Sequence, residues 1–431
     1  MKQNFSGTFQ YLRRDASAGF ITGCMAIPLS AGICIMSDYP ILIGLITVVF
    51  ACIVGYITSL FRPGNYVGTP GIAAGLAPAL AFGVAEFGME NMPFLILLTA
   101  LMQIIVWKYN LQKHILLLVP VYLVEGLLAG IGLKIALKFF PFLYTTVSSS
   151  EHWLDLARLE LLGFSTVSFI LFIWLFQKYS KVSPGISYFT IMAIGIASMF
   201  YLSLPKLTIE PVPFYFRFPL PHPQFFHTDA FTGVVKMIGY AMMLGAIDVI
   251  EQVMSNAAIE KIDPLKRHCH TNNSLLAIWI ANLGSSFFGG MTNLDGLAKS
   301  STNAYAGAVT KLSNLFCAAV IMVMILFPGL LSFLPQYTLG IIMVFTGGKM
   351  IYGLRSVYDH HGKYAIVLAT ICGLLVYKLG IFEGLLLCLL LHTIIHIYMA
   401  LQKKQTIKDI YHSFRTSYMD RLEKSESNLG A

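Results

Sequence analysis

Apolar stretches as long as a bilayer is thick recur along the whole of this chain; the runs at 40–60, 115–135 and 385–400 are three of them. A spanning helix needs about 20 such residues, and it pairs its backbone polar groups internally where no water can. Of the 431 residues 56% are hydrophobic and only 12% charged, with a mean hydropathy of +0.71. That is too little charge to cover a soluble surface. The expected fold class is an all-α polytopic membrane protein. A transmembrane barrel would show alternating segments of about ten residues, and the sequence has none.

Taken in order, the apolar segments give about fourteen candidate helices, starting near 19, 40, 70, 92, 114, 159, 184, 234, 273, 294, 312, 335, 363 and 380. With the N-terminus inside, the cytoplasmic side holds fifteen Lys and Arg between Lys2 and Lys363, Lys311 among them, and six more in the tail, out of 29. This bias predicts an even number of crossings, two cytoplasmic termini and a multi-pass protein of the cell (inner) membrane. It also accounts for the net charge of +8 without a nucleic-acid partner. Six of the seven cysteines (Cys24, Cys34, Cys52, Cys317, Cys372 and Cys388) lie in predicted helices and read as packing residues. His392 and His396, one turn apart, have no third ligand nearby, and no metal site or other cofactor is expected. No nucleophile elbow, P-loop or dinucleotide fingerprint points to an enzyme.

The predicted organisation is a transmembrane domain over 1–400 and a short cytoplasmic tail over 401–431. Near mid-chain lies "LPKLTIEPVPFYFRFPLPHPQFF" (204–226), a crossover with about seven helices on each side. Halves at 12–203 and 230–400 then form a 7+7 inverted repeat. Two interrupted stretches support it: "RPGNYVGTPGIAAGLAPAL" (62–80) at the third segment and "FFGGMTNLDGLAKSSTNAYAGAVTK" (287–311) at the tenth. Matching short, Gly/Pro-interrupted segments in two halves are a sequence pointer to a transporter site. Half-helices starting there would aim free amides and positive dipole ends at an anion.

Charges at bilayer depth are costly and few. Asp248, Glu251 and Ser255 fall at i, i+3 and i+7, a spacing that puts them on one helix face. A carboxylate with a hydroxyl one turn later can ligate Na+, and a shielded carboxylate can instead carry H+. Lys299, one turn into the late half-helix, adds a full positive charge to the cradle. Asp295, four residues earlier, is placed to neutralise Lys299 or to cap the half-helix. Glu125 reads as a packing or gating residue.

These residues, in order, resemble the SulP (sulfate permease) family of anion transporters. "RRDASAGFITGCMAIPLSAGICIMSDYPILIGLITVVFACIVGYITSLF", "YVGTPGIAAGLA", "VPVYLVEGLLAGIGLKI", "IANLGSSFFGGMTNLDGLAKSSTNAYAGAVTKLSN", "FLPQYTLGIIMVFTGGKMI" and "LGIFEGLLLCLLL" carry the resemblance from about 12 to 400. The family implies core and gate domains, half-helices at segments 3 and 10, and an anion site between them. By position, that site is Thr69, Pro70, Gly71 and Ile72 with Gly296, Leu297, Ala298 and Lys299. Glu251 takes the place of the coupling acid and Ser255 that of the hydroxyl. Gly-Thr-Pro stands here for the family's Gly-Pro-Thr, Thr292 for a proline and Asp295 for a small residue. No STAS domain is expected after the last helix.

The resulting expectation is a secondary active transporter of a small anion (bicarbonate, sulfate or a dicarboxylate) coupled to H+ or Na+ by alternating access. A nucleobase–proton symporter of the same fold, using Asp295, and a passive anion channel are the alternatives. The expected partners are the anion and the lipid bilayer, with a homodimer left open.

Overall fold

A computed structural model describes residues 10–72, 74–112, 121–145, 156–179, 185–201, 204–207, 209, 216–221, 230–379 and 381–402. Part of the mid-chain crossover and the tail beyond 402 lie outside the described residues. Thirteen α-helices are present among the described residues: α1 Leu12–Met36, α2 Ile41–Phe61, α3 Ala77–Phe87, α4 Met92–Lys108, α5 Val121–Phe139, α6 Leu156–Tyr179, α7 Gly185–Ser198, α8 Ala230–Ile262, α9 Thr271–Ser286, α10 Leu297–Tyr305, α11 Leu312–Leu326, α12 Gln336–Leu379 and α13 Ile381–Gln402. The segments expected at 335 and 363 are continuous as α12. Its 44 residues run about 66 Å at 1.5 Å each, twice the length one crossing needs.

Two helices are the shortest among the described residues. α3 has 11 residues and α10 has 9, about 16 and 14 Å, so neither can cross alone. Each follows extended backbone. Pro70–Ile72 (β1) pairs antiparallel with Asn293–Asp295 (β2), in the register Pro70 with Asp295, Gly71 with Leu294 and Ile72 with Asn293. The strand backbone is satisfied by this pairing and by side chains, since the amides of Asn293 and Asp295 donate to Asn282 Oδ1 and Gln252 Oε1.

Contacts divide the chain into two compact units. One comprises 1–105 and 137–345, the other 106–136 and 346–431. In the first, α1 lies against α11 and α2 packs on both α9 and α11. Gly19 and Gly23 form a small-xxx-small face on α1. A Cβ on Gly19 would collide with the Ser313 carbonyl, and one on Gly23 would crowd Val320. In the second unit the carbonyl of Ala369 lies where a Cβ of Gly126 would be, and Glu125 sits against Gly353. The Tyr122 hydroxyl meets His392 Nδ1 at 2.7 Å.

Candidate functional site

Every residue placed in the site by sequence falls in the first unit. β1 and β2 bring the two interrupted stretches into register, which puts Gly71 beside the strand that leads into α10. α10 begins at Leu297 with Gly296 as its N-cap, so Lys299 occupies its first turn. A Cβ on Gly71 would collide with the Lys299 ammonium. Lys299 is 2% exposed, and its Nζ has no hydrogen-bond partner among the described residues. Its electrostatic neighbours are Cys52, Cys317, Asp295 and Cys34. The Cys52 thiol in turn donates to the Pro70 carbonyl on β1 at 3.6 Å.

Asp295 departs from expectation. Gly296, not Asp295, is the N-cap, and no side chain caps α10. Gly296 is extended, with φ −63° and ψ 129°, so the i,i+4 geometry that would join Asp295 to Lys299 never forms. The carboxylate turns to Lys311 instead, whose Nζ reaches Oδ1 at 3.3 Å. Its Oδ2 accepts from Asn65 Nδ2 (2.5 Å), Gln252 Nε2 (3.2 Å) and Ser274 Oγ (3.3 Å). Lys311 also donates to the Gly68 carbonyl at 2.6 Å. It is therefore a buried strut between the two interrupted stretches, the half-helix crossovers at 62–80 and 287–311.

Asp248, Glu251 and Ser255 lie on the continuous helix α8 at the spacing of one face, and each meets a different neighbour. Asp248 accepts from Gln103 on α4 and from Asn282 on α9 (3.2 Å for the latter). Asn282 Oδ1 also accepts from the backbone amide of Asn293 at 2.7 Å, which fixes the start of β2. The Ser255 hydroxyl donates to the carbonyl of Asp295. Glu251 faces Gly75, just before α3; a Cβ on Gly75 would collide with its Oε1. That oxygen is shielded from solvent and has no partner among the described residues.

Of the other predicted positions, Thr69 donates its amide to Ser300 Oγ at 3.0 Å, while its own buried hydroxyl is unpartnered among the described residues. Pro70, Gly71 and Ile72 form β1; Leu297 and Ala298 open α10. Buried polar atoms without partners are rare in proteins. Here Thr69 Oγ1, Glu251 Oε1, Thr292 Oγ1, Asn293 Oδ1 and Lys299 Nζ all belong to the strand pair or to the residues beside it.

Sequence reasoning missed the supports: Lys311, Asn65, Gln252, Asn256 and Ser274 around Asp295, with Gln103 and Asn282 around Asp248. A signal for two of them was present, because Gln252 and Asn256 follow Asp248 at i+4 and i+8. It missed Asp15 too, whose carboxylate accepts from the amides of Val309 (2.7 Å) and Thr310 (3.1 Å) and so holds the approach to α11.

A helical membrane protein with two half-helices meeting at an extended strand pair belongs to the class of inverted-repeat transporters. The chain matches the sulfate permease family over residues 12–372 and belongs to it. It is 24% identical over 365 residues to a candidate sulfate transporter, YvdB, of Bacillus subtilis (strain 168), a match covering 80% of this chain and 67% of that one. It is also 24% identical over 342 residues to the bicarbonate transporter BicA of a Picosynechococcus species, covering 74% of this chain but only 58% of that one. Two solved structures share the inverted-repeat fold. The transmembrane domain of a cyanobacterial BicA aligns at a TM-score of 0.67, with 19% identity, over 87% of this chain and 98% of the other. SLC26A9 aligns at 0.70, with 15% identity, over 91% and 66%.

Proposed function

We propose that the protein is a secondary active transporter of a small anion across the cytoplasmic membrane, working by alternating access. The observation that carries this reading is the Lys299 ammonium, 2% exposed and unpaired among the described residues, at the first turn of α10 and against Gly71. A lone buried cation is costly unless an anion joins it. The positive end of a half-helix adds to its pull. Gly71 leaves the space that the ammonium occupies, so β1 serves the site by what it omits. The relatives named as sulfate and bicarbonate transporters support the substrate class.

Glu251 is the coupling group in this reading. Its unpartnered oxygen faces Gly75 at the approach to α3. The Ser255 hydroxyl, the natural second ligand for Na+, is turned to the Asp295 carbonyl. That bond uses the hydroxyl hydrogen and leaves the oxygen lone pairs, so Glu251 with Ser255 suits Na+ as well as H+. The nucleobase reading loses its support, because Asp295 already accepts from Lys311, Asn65, Gln252 and Ser274.

The test is uptake into liposomes by purified protein of labelled bicarbonate, sulfate, succinate and uracil, under separately imposed proton and sodium gradients. Accumulation of an anion that follows one gradient, lost in Lys299→Gln, is the expected result. Accumulation of uracil alone, or anion uptake unchanged in Lys299→Gln, overturns the reading.

A further inference from the structure

Three buried charges come together beside β2, and they are not equivalent. Asp295 ends the strand, Lys299 opens α10, and Lys311 stands at the N-cap of α11. Lys311 and Asp295 form a pair with side chains 8% and 3% exposed. Lys299 lies within electrostatic reach of Asp295 and yet has no partner among the described residues. If Lys311 were absent, Lys299 would remain as a cation within electrostatic reach of Asp295. If Asp295 were neutral, the region would present two ammonium groups. The pair therefore controls how much positive charge is available to a ligand.

We propose that the Asp295–Lys311 pair sets the valence of the anion site: Asp295 cancels Lys311, Lys299 is left as the cation offered to the ligand, and the site takes a singly charged anion of the bicarbonate class in preference to a divalent one. The inference rests on the reading of Lys299 as the anion's partner and deepens it. A divalent anion opposite one ammonium keeps a full uncompensated charge out of water, where such charges are expensive. A monovalent anion leaves none. Asn65, Gln252 and Ser274 serve the pair: their donors hold Oδ2 in place while Oδ1 faces Lys311. The Gly68 carbonyl fixes the ammonium of Lys311 from the other crossover. Lys311 and Asp295 are thus positioning residues that need not touch the anion. The other carboxylates around the pair are Asp248, between Gln103 and Asn282, Glu251, against Gly75, Asp15, on the amides of Val309 and Thr310, and Asp263, held by Arg267. They stay unchanged in every variant compared below.

The experiment titrates purified protein in nanodiscs with sodium bicarbonate and with sodium sulfate, at one pH and one ionic strength, by calorimetry. Wild type should bind bicarbonate more tightly than sulfate. Asp295→Asn frees the charge of Lys311 and should raise the sulfate-to-bicarbonate affinity ratio roughly tenfold or more. Lys311→Met turns Asp295 toward Lys299 and should weaken both anions by about tenfold or more. The double variant Asp295→Asn/Lys311→Met removes both charges and should return bicarbonate affinity to within about threefold of wild type, with the preference for the monovalent anion kept. A purely structural role for the pair would weaken binding without changing the ratio. A wild type that prefers sulfate, an unchanged ratio in Asp295→Asn, or a double variant that switches to sulfate overturns the proposal. Where Asp295→Asn does not fold, the wild-type preference and the charge-neutral double variant still decide it. Lys299→Gln separates the two levels: anion binding unaffected there sinks the reading of Lys299 itself, whereas binding lost there with the ratio unmoved in Asp295→Asn sinks the valence assignment alone.

Discussion

The two crossovers that meet at the strand pair contribute opposite things. From Gly68 to Gly75 the first has no charged side chain, and it offers backbone and space. The Gly68 carbonyl receives Lys311, Gly71 makes room for Lys299 and Gly75 makes room for Glu251. From Asn293 to Lys299 the second supplies the charges, one held and one free. Inverted halves of one fold have thus specialised, one as mould and the other as electrode. Residues with no side chain on one half matter because they decide where charged residues on the other can stand.

The largest effect that can break this comparison is on stability. Asp295→Ala leaves Lys311 buried and uncompensated, and removal of one member of a buried pair costs about 3–5 kcal/mol. Thermal unfolding in detergent should show that loss. Lys299→Gln should not unfold the protein, because no partner is left stranded by the change. Its cost should fall on anion affinity instead, about 1.5–3 kcal/mol, the worth of a charged hydrogen bond, read from the concentration dependence of uptake. Equal instability in both variants would erase the distinction between held and free charge.

Smaller effects should come from the mould. Gly71→Ala and Gly75→Ala meet only the flexible ends of Lys299 and Glu251 at closest approach, so the fold should survive at a cost of about 1–3 kcal/mol or less. Gly71→Ala should mainly weaken anion affinity, while Gly75→Ala should mainly disturb the dependence on the cation gradient. Paired uptake assays under imposed gradients would sharpen the comparison, and an identical defect in the two would blunt it.

The smallest effect concerns the seam beside the first crossover. Cys269, in the loop between α8 and α9, packs on a cluster that includes Val67 and Ala304, one from each crossover. Burial, helped by the Glu260 carboxylate, pushes its thiol up to about 12. Since only the thiolate reacts, alkylation of a variant retaining Cys269 alone should stay slow from about pH 7 to 10 and rise only toward the raised value. Fast labelling near pH 8 would mean that the seam is open.

The class of protein and both interruptions were legible in the residues. Apolar run length selects spanning helices, and Gly and Pro before residue 77 and Gly before residue 297 mark where two of them start late. The apolar pattern starts the third segment near 70, whereas Pro70–Ile72 pair as a strand with residues more than 200 positions away and the helix begins at Ala77. The fate of Asp295 was misread for a related reason. Four residues separate it from Lys299, a spacing that implies a helical pair, but Gly296 interrupts the helix between them.

By itself, the sequence determined that this chain is a helical membrane protein with two broken segments and a handful of charges at bilayer depth. Those outcomes depend on composition and on runs of neighbouring residues. Tertiary structure alone decided which charges are cancelled and which one is free. Lys311 reaches Asp295 across sixteen positions and Asn65 reaches it across 230. Electrostatic pairing in a low-dielectric interior follows distance in space, and distance in space is what the linear order of residues does not contain.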